Sequence, residues 1–293
     1  MVPHLERLDV DWDIVFVNDG SSDGTLLKLI RMHDRDERAK VVNLTRNFGK
    51  EAAMTAGLDH AGGDMIVVMD VDLQDPPELL KDMVALWRQG YDVVVARRVS
   101  RFDDTQLKRM SAGHFYRVFN RISPSKIPAD VGDFRLMDKR VVAALRKLPE
   151  RVRFMKGLFA WVGYETAVVD YERPVRQRGT TKFNYWRLWN FALDGITSFS
   201  TLPLRIWSYL GLFVAGISFI YGVIIIGRTL ILGIDVPGYA SLLAAVLFLG
   251  GMQLVGLGII GEYLGRIYSE TKHRPIYLTG ALYGLAPAQD PCG

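Results

Sequence analysis

Two aspartates one residue apart, Asp70 and Asp72, follow the apolar run Met65 to Met69 and lead into Gln74, Asp75, Pro76 and Pro77. Carboxylates at the tip of a buried strand are costly unless a positive charge lies beside them. Hard divalent cations such as Mg2+ or Mn2+ take oxygen ligands, and a diphosphate would share such an ion. The plainer alternative is an acidic helix N-terminus, since the helix dipole favours negative charge there and proline suits the first helical turn. Asp-x-Asp alone does not choose between the two. The choice rests on what else the chain brings to the same place.

Apolar and β-branched runs at Asp13 to Val17, Lys40 to Leu44, Met65 to Met69 and Tyr91 to Ala96 read as strands. Helical patterns at Leu26 to Met32, Lys50 to His60 and Pro77 to Gln89 separate them, with Ser22 or Asp23 as the N-cap of the first. Such alternation predicts a doubly wound, mostly parallel sheet, with ligands at the carboxyl ends of its strands. Asp19, the loop Thr45 to Gly49 ahead of Lys50, the Asp70/Asp72 pair and Arg97-Arg98 all fall at those ends. Their convergence is stronger evidence for a site than any one of them. Further on, Gln106 to Arg121 is a basic amphipathic pattern, either an ordinary surface helix or one that lies on a membrane. Asp133 and Arg135 stand in Asp130 to Leu136, a helix is expected over Asp138 to Leu148, and Tyr164 to Tyr171 reads as a strand at a sheet edge. Arg173, Arg176, Arg178 and Lys182 surround Gly179-Thr180-Thr181, a loop suited to phosphate oxygens or to simple solvation.

Composition changes near residue 200. Hydrophobic residues make up 49% of the 293, and the apolar ones concentrate in two stretches, Ile206 to Leu232 and Ala240 to about Leu264. Each is long enough to cross a bilayer. Aromatic residues between Asn184 and Phe199 suit the membrane–water interface. The turn Ile234 to Gly238 carries no Lys or Arg, whereas Arg187, Arg205, Arg266, Lys272 and Arg274 flank the spans, which predicts both flanks in the cytoplasm. A net charge of +4 fits an anionic membrane or a phosphorylated substrate. Nucleic acid ranks last as a partner, because the basic residues flank apolar segments instead of forming one patch with stacking aromatics. The sole cysteine, Cys292, excludes a disulfide framework, a cysteine zinc site and a thiol redox pair. Gly256-Leu257-Gly258-Ile259-Ile260-Gly261 matches a dinucleotide fingerprint, but it lies inside the second span with no preceding strand, and helix packing explains it better.

Taken together, Val17 to Thr25, Asn47 to Lys50, Met69 to Pro77 and Gly132 to Leu136 resemble the inverting glycosyltransferases of family two. The resemblance is to the polyprenyl-phosphate branch, with Leu193 to Ser200 and the two spans resembling its bacterial members. It implies a GT-A (Rossmann-like) α/β domain over 1–182, an interfacial amphipathic linker over 183–204, two transmembrane helices over 205–268 and a cytoplasmic tail over 269–293. It also implies a first apolar strand with a Pro-x-Tyr-Asn-Glu-like loop, which is not found ahead of Asp13, so the domain is expected to lack its first βα unit. By the same resemblance Asp19, Asp70, Lys50 and Arg97 bind the nucleotide sugar, and Asp70, Asp72 and Gln74 hold Mg2+ or Mn2+. Asp133 takes the position of the catalytic base, and Arg135, Arg178 and Lys182 face the acceptor phosphate.

The implied reaction moves a hexose, glucose from UDP-glucose as the first choice, onto undecaprenyl phosphate at the inner face of the plasma membrane. The partners are then a nucleotide diphosphate sugar, a polyprenyl phosphate and the bilayer, with homo-oligomerisation left open. A phosphate monoester has its second pKa near about 6 and needs little deprotonation at neutral pH. Asp133 is therefore expected to position groups, or to stabilise oxocarbenium character, more than to abstract a proton. The competing readings are a non-catalytic membrane scaffold and a polysaccharide synthase-like transferase. The latter normally carries a Gln-x-x-Arg-Trp motif, and Gln106 to Met110 lacks its Trp.

Overall fold

The computed structural model describes residues 1–72, 75–99, 131–151, 153–172, 201–232 and 238–286. Gln74, Arg178 and Lys182, the Gln106–Arg121 pattern and the linker 183–200 lie outside them. The chain forms two compact units, Met1–Gly195 with His273–Gly293, and Ile196–Lys272. The first unit contains α1 (Val2–Leu5), β1 (Ile14–Asn18), α2 (Thr25–Arg35), β2 (Ala39–Leu44), α3 (Lys50–His60) and β3 (Met65–Val68). It continues with α4 (Leu80–Arg88), β4 (Val93–Arg98), β5 (Val131–Asp138), α5 (Lys139–Arg146), α6 (Met155–Trp161) and β6 (Thr166–Tyr171). The second unit is α7 (Leu202–Leu232) and α8 (Tyr239–Thr271), after which β7 (Thr279–Tyr283) returns to the first.

The architecture is mixed α/β, and the strand pairing departs from a mostly parallel sheet. β1 and β2 are parallel, with β7 antiparallel on the far side of β2. A second sheet has the order β3-β5-β4-β6, with β5 antiparallel to both neighbours and β4 parallel to β6. Apolar periodicity locates a strand but does not give its direction. The direction of β5 is fixed by its pairing on both sides. Phe134, Arg135, Leu136 and Met137 are all buried there, as a central strand with both faces covered requires. Leu80, Met83 and Val84 of α4 pack on Phe134, Leu136, Val94 and Ala96 to make the main core. Burying Phe134 alone contributes about 2–3 kcal/mol.

β3 is shorter and less buried than its apolar run predicts: only Ile66 is buried and Val67 is 37% exposed. It is an edge strand whose only pairing among the described residues is to β5. β6 is the other edge of that sheet, with alternating burial. Residues from 269 on, expected as a tail, extend α8 to Thr271 and then supply β7. Tyr277 anchors this return by donating its hydroxyl to Asp59 Oδ2 at 3.0 Å.

α7 and α8 have 31 and 33 residues. At about 1.5 Å per residue either exceeds the roughly 30 Å of a bilayer core. Their apolar windows, Leu204–Ile225 and Phe248–Thr271, have mean hydropathies of 2.0 and 1.2 with 0% and 6% buried. These are not core helices of a soluble protein. Apolar side chains exposed all along them mark a membrane-associated unit. Gly256 lies in α8 with the Trp207 indole against it, where a Cβ would overlap the ring. Of the fingerprint glycines, Gly256 therefore serves helix packing, whereas a Cβ at Gly258 or Gly261 would meet nothing within 4 Å.

Candidate active site

Direction is what brings the acidic residues together. In the antiparallel β3–β5 pair, Val68 stands opposite Arg135. Continuing that register by two residues sets Asp70, just past β3, against Asp133, near the start of β5. Like charges facing one another across strands repel. Lys50, the first residue of α3, resolves the conflict: its Nζ lies 2.8 Å from Asp70 Oδ1, 2.9 Å from Asp70 Oδ2 and 2.6 Å from Asp133 Oδ2. The Asp133 side chain is 15% exposed, against 40% for Asp70 and 53% for Lys50.

The protonation states follow from this arrangement. Burial opposes the charge on Asp133, but the Lys50 hydrogen bond and the Lys156, Lys50 and Arg135 charges outweigh it, so its pKa falls below the usual carboxylate range. Burial likewise opposes the Lys50 charge, and the bonds to Asp133 and Asp70 overcome it, raising the pKa above that of an ordinary lysine. Glu51 is the neighbour that sequence reasoning missed. Burial pushes its carboxyl up, while Oε2 accepts from Met155 N–H at 2.9 Å, tying α3 to α6. Its position directly after Lys50 was the available signal.

Asp19, expected to bind the nucleotide sugar, spends both carboxylate oxygens on backbone groups. Its Oδ1 accepts from Phe48 N–H at 2.7 Å and its Oδ2 from Gly49 N–H at 2.9 Å. The β1 loop thereby clamps the turn that launches Lys50. Gly20 permits the approach, with φ +64° and the Arg46–Asn47 backbone where a Cβ would stand. Gly49, at φ +97°, turns the chain into α3. Below the clamp, buried Asn18 donates to Asn43 Oδ1 at 2.7 Å across the two parallel strands.

Arg135 is 5% exposed and turns inward. Its Nη2 donates to Gly132 O at 3.0 Å and its Nε to Asp133 O at 3.4 Å, while its guanidinium stacks on Phe159 at 3.7 Å. Burial lowers its pKa to about 10. Arg135, expected to face the acceptor phosphate, here fixes the backbone carrying Asp133. Arg97 is also elsewhere engaged, in a forked pair with Asp170 at 2.7 and 2.8 Å across β4 and β6. It is not among the groups gathered at Asp70 and Asp133. A second missed contact holds the acidic turn: Tyr171 donates to the buried Asp75 at 2.5 Å.

Among the described residues no three carboxylate, histidine or cysteine side chains gather as a ready-made metal cage. What exists is a pair of carboxylates around one cation, with Asp72 two residues on in an exposed turn. Hard oxygen donors arranged around an ammonium fit a divalent ion that completes its shell with diphosphate oxygens and water.

The profile of glycosyl transferase family 2 matches residues 5–146, and that of the GtrB C-terminal hairpin matches residues 202–267. An uncharacterized glycosyltransferase of Synechocystis sp. is 55% identical over 281 residues, which is 96% of this chain and 88% of the relative. The bactoprenol glucosyl transferase of Shigella phage SfV is 54% identical over 266 residues, 91% of this chain and 87% of the relative. A prophage bactoprenol glucosyl transferase homolog of Escherichia coli K12 is 53% identical over the same length.

Proposed function

The chain belongs to glycosyl transferase family 2 and is a membrane-associated glycosyltransferase; from that premise we propose that it moves a hexose from a nucleotide sugar to a polyprenyl phosphate. Glucose from UDP-glucose and undecaprenyl phosphate are the substrates we infer, on the strength of the bactoprenol glucosyl transferases it resembles. The structural observation that carries the reading is the pairing of Asp70 with Asp133 about a single cation at the carboxyl end of β3.

In this reaction an acceptor phosphate oxygen attacks the anomeric carbon as the bond to the nucleotide diphosphate breaks, and the carbon inverts. The attacking phosphate is mostly dianionic at neutral pH, its second pKa being about 6. A general base works best with a pKa near the working pH. Asp133 lies far below it, so its role is to stay ionised, facing positive character at the anomeric carbon and holding the Lys50 ammonium. Arg135 locks the carbonyls on either side of that task, and Asp19 fixes the turn from which Lys50 projects. Family members generally use a divalent metal. Asp70 and Asp72, with Gln74, would hold it here, and it would neutralise charge growing on the departing diphosphate. Arg178 and Lys182 are assigned to the acceptor phosphate by the family resemblance, in a basic loop suited to phosphate oxygens. Arg205 in the first turn of α7, Arg266 in the last turns of α8, and Lys272 and Arg274 just beyond it support two spans with both outer ends in the cytoplasm.

Membranes bearing the full chain, supplied with undecaprenyl phosphate and a panel of labelled nucleotide sugars, test the proposal. The expected outcome is Mg2+-dependent label in the lipid fraction from UDP-glucose. Label from another sugar alone would correct the donor, and no lipid label from any donor would overturn the reading.

A further inference from the structure

Lys50 stands where a cation is needed, and its place in the chain explains why it stays there. It is the first residue of α3, behind a turn that Asp19 pins through two backbone bonds. Its ammonium reaches both Asp70 oxygens and one Asp133 oxygen, three contacts of 2.6 to 2.9 Å. The two carboxylates come from chain segments about 60 residues apart that the β3–β5 register forces together. Asp133 is the more enclosed of the two, at 15% exposed against 40%. The Asp70 side of the bridge therefore opens more readily to solvent and to an incoming ion.

Resting on the metal reading given above, we propose that Lys50 is a tethered internal cation that occupies the Asp70 side of the divalent-ion site and gives it up, while keeping Asp133, when the ion arrives. The ammonium and the ion compete for one carboxylate. The released Nζ remains beside the ion, where its charge would meet the same diphosphate. Lys50 thus sets metal affinity as a competitor. It also makes tight metal binding depend on the nucleotide, whose two phosphates add the negative charge needed for both cations to stay. Lys50 is a positioning residue in the unloaded protein and a substrate contact in the loaded one.

Mn2+ titration of the full chain in detergent, followed by electron paramagnetic resonance without nucleotide, separates the possibilities. Lys50→Gln should bind Mn2+ about tenfold more tightly than the wild type, because a positive charge has left the site. Lys50→Arg should bind with nearly wild-type affinity. Unchanged or weaker Mn2+ affinity in folded Lys50→Gln would overturn the inference while leaving the metal reading intact. Failure of the wild type and both variants to bind Mn2+ even with UDP would remove the metal reading and this inference with it. A measurement on the unmutated protein stands beside these: acetylation of Lys50 by acetic anhydride, read by mass spectrometry, should rise when Mg2+ is added. A rate indifferent to Mg2+ would overturn the inference whatever the variants do.

Discussion

Lys50 Nζ lies 2.6 Å from Asp133 Oδ2, and this contact decides what Asp133 is able to do. A carboxylate held below its ordinary range remains charged throughout the pH interval in which an enzyme of this kind works. The expected pH profile of kcat/KM therefore contains the second ionisation of the acceptor phosphate, near about 6, and no limb belonging to Asp133. Asp133→Asn should lower kcat by about 100-fold or more while leaving the position of that limb unchanged. Loss of the limb in the variant would return Asp133 to the role of base. The same contact has a stability consequence. The Asp133 pKa is depressed on folding, so its contribution is present above the unfolded value of about 3.9 and is lost as pH falls through the folded value. With Lys50 half exposed it amounts to about 1 kcal/mol or less, readable as a lower Tm at acid pH that Asp133→Asn abolishes.

Asp72→Ala should abolish the Mg2+-dependent part of UDP binding. Calorimetric titrations with and without Mg2+ check this directly. Equal binding in the two conditions for the wild type would show that no metal joins the nucleotide to the protein.

Asp19 distinguishes a clamp from a ligand. Asp19→Ala leaves two backbone N–H groups without their carboxylate, at a cost of about 1–3 kcal/mol, and frees the turn before Lys50. The expected result is a lower Tm together with a lower kcat, with Asp19→Asn intermediate because its amide keeps one acceptor. If Asp19→Asn instead raised KM for the nucleotide sugar at an unchanged Tm, contact with the nucleotide would be its main task.

Arg135→Gln should lower kcat by about tenfold or more with little change in KM for the lipid phosphate, since the guanidinium spends its bonds on Gly132 and Asp133 carbonyls. The complementary variants Arg178→Ala and Lys182→Ala should raise that KM and leave UDP binding intact. Steady-state kinetics with varied lipid phosphate separates the two classes. A selective rise in KM for Arg135→Gln would place that residue on the acceptor side after all.

Arg97→Ala should cost stability before activity. Its forked pair with Asp170 joins β4 to β6 on an exposed face, so the expected loss is about 1 kcal/mol or less, with nucleotide-sugar KM unchanged. Thermal unfolding and initial rates measured on one preparation settle it.

Much of this site was legible as residue types and loops. Asp19, Lys50, Asp70 and Asp133 all stood in polar segments that follow or open apolar runs, and the fingerprint glycines betrayed themselves by lying in an apolar stretch. What stayed hidden was direction and partnership. In an all-parallel sheet Asp133, near the start of its strand, would sit at the opposite edge from Asp70. Only the antiparallel run of β5 brings them together, and apolar periodicity is the same for a strand read either way. Arg97 is the last residue but one of β4, where a ligand contact was expected, but Asp170 stands beside it on β6, a pairing fixed by a register the sequence does not display. Arg135 was expected at the acceptor phosphate by the family resemblance alone. Its burial against Phe159 follows from being an inward residue of a central strand.

The return of the chain as β7 sets an order on synthesis. Val41 of β2 pairs with Tyr283, a sequence separation of 283 − 41 = 242. Every residue of the two long apolar helices is translated inside that interval. Until they have been made, one edge of β2 has no β7 to cover it, and such an edge invites pairing with other chains. The final strand of the first unit is therefore withheld until both apolar helices exist. A chain released between them would carry a sheet one strand short and prone to self-association, so the sheet is finished only after both apolar helices have been synthesised.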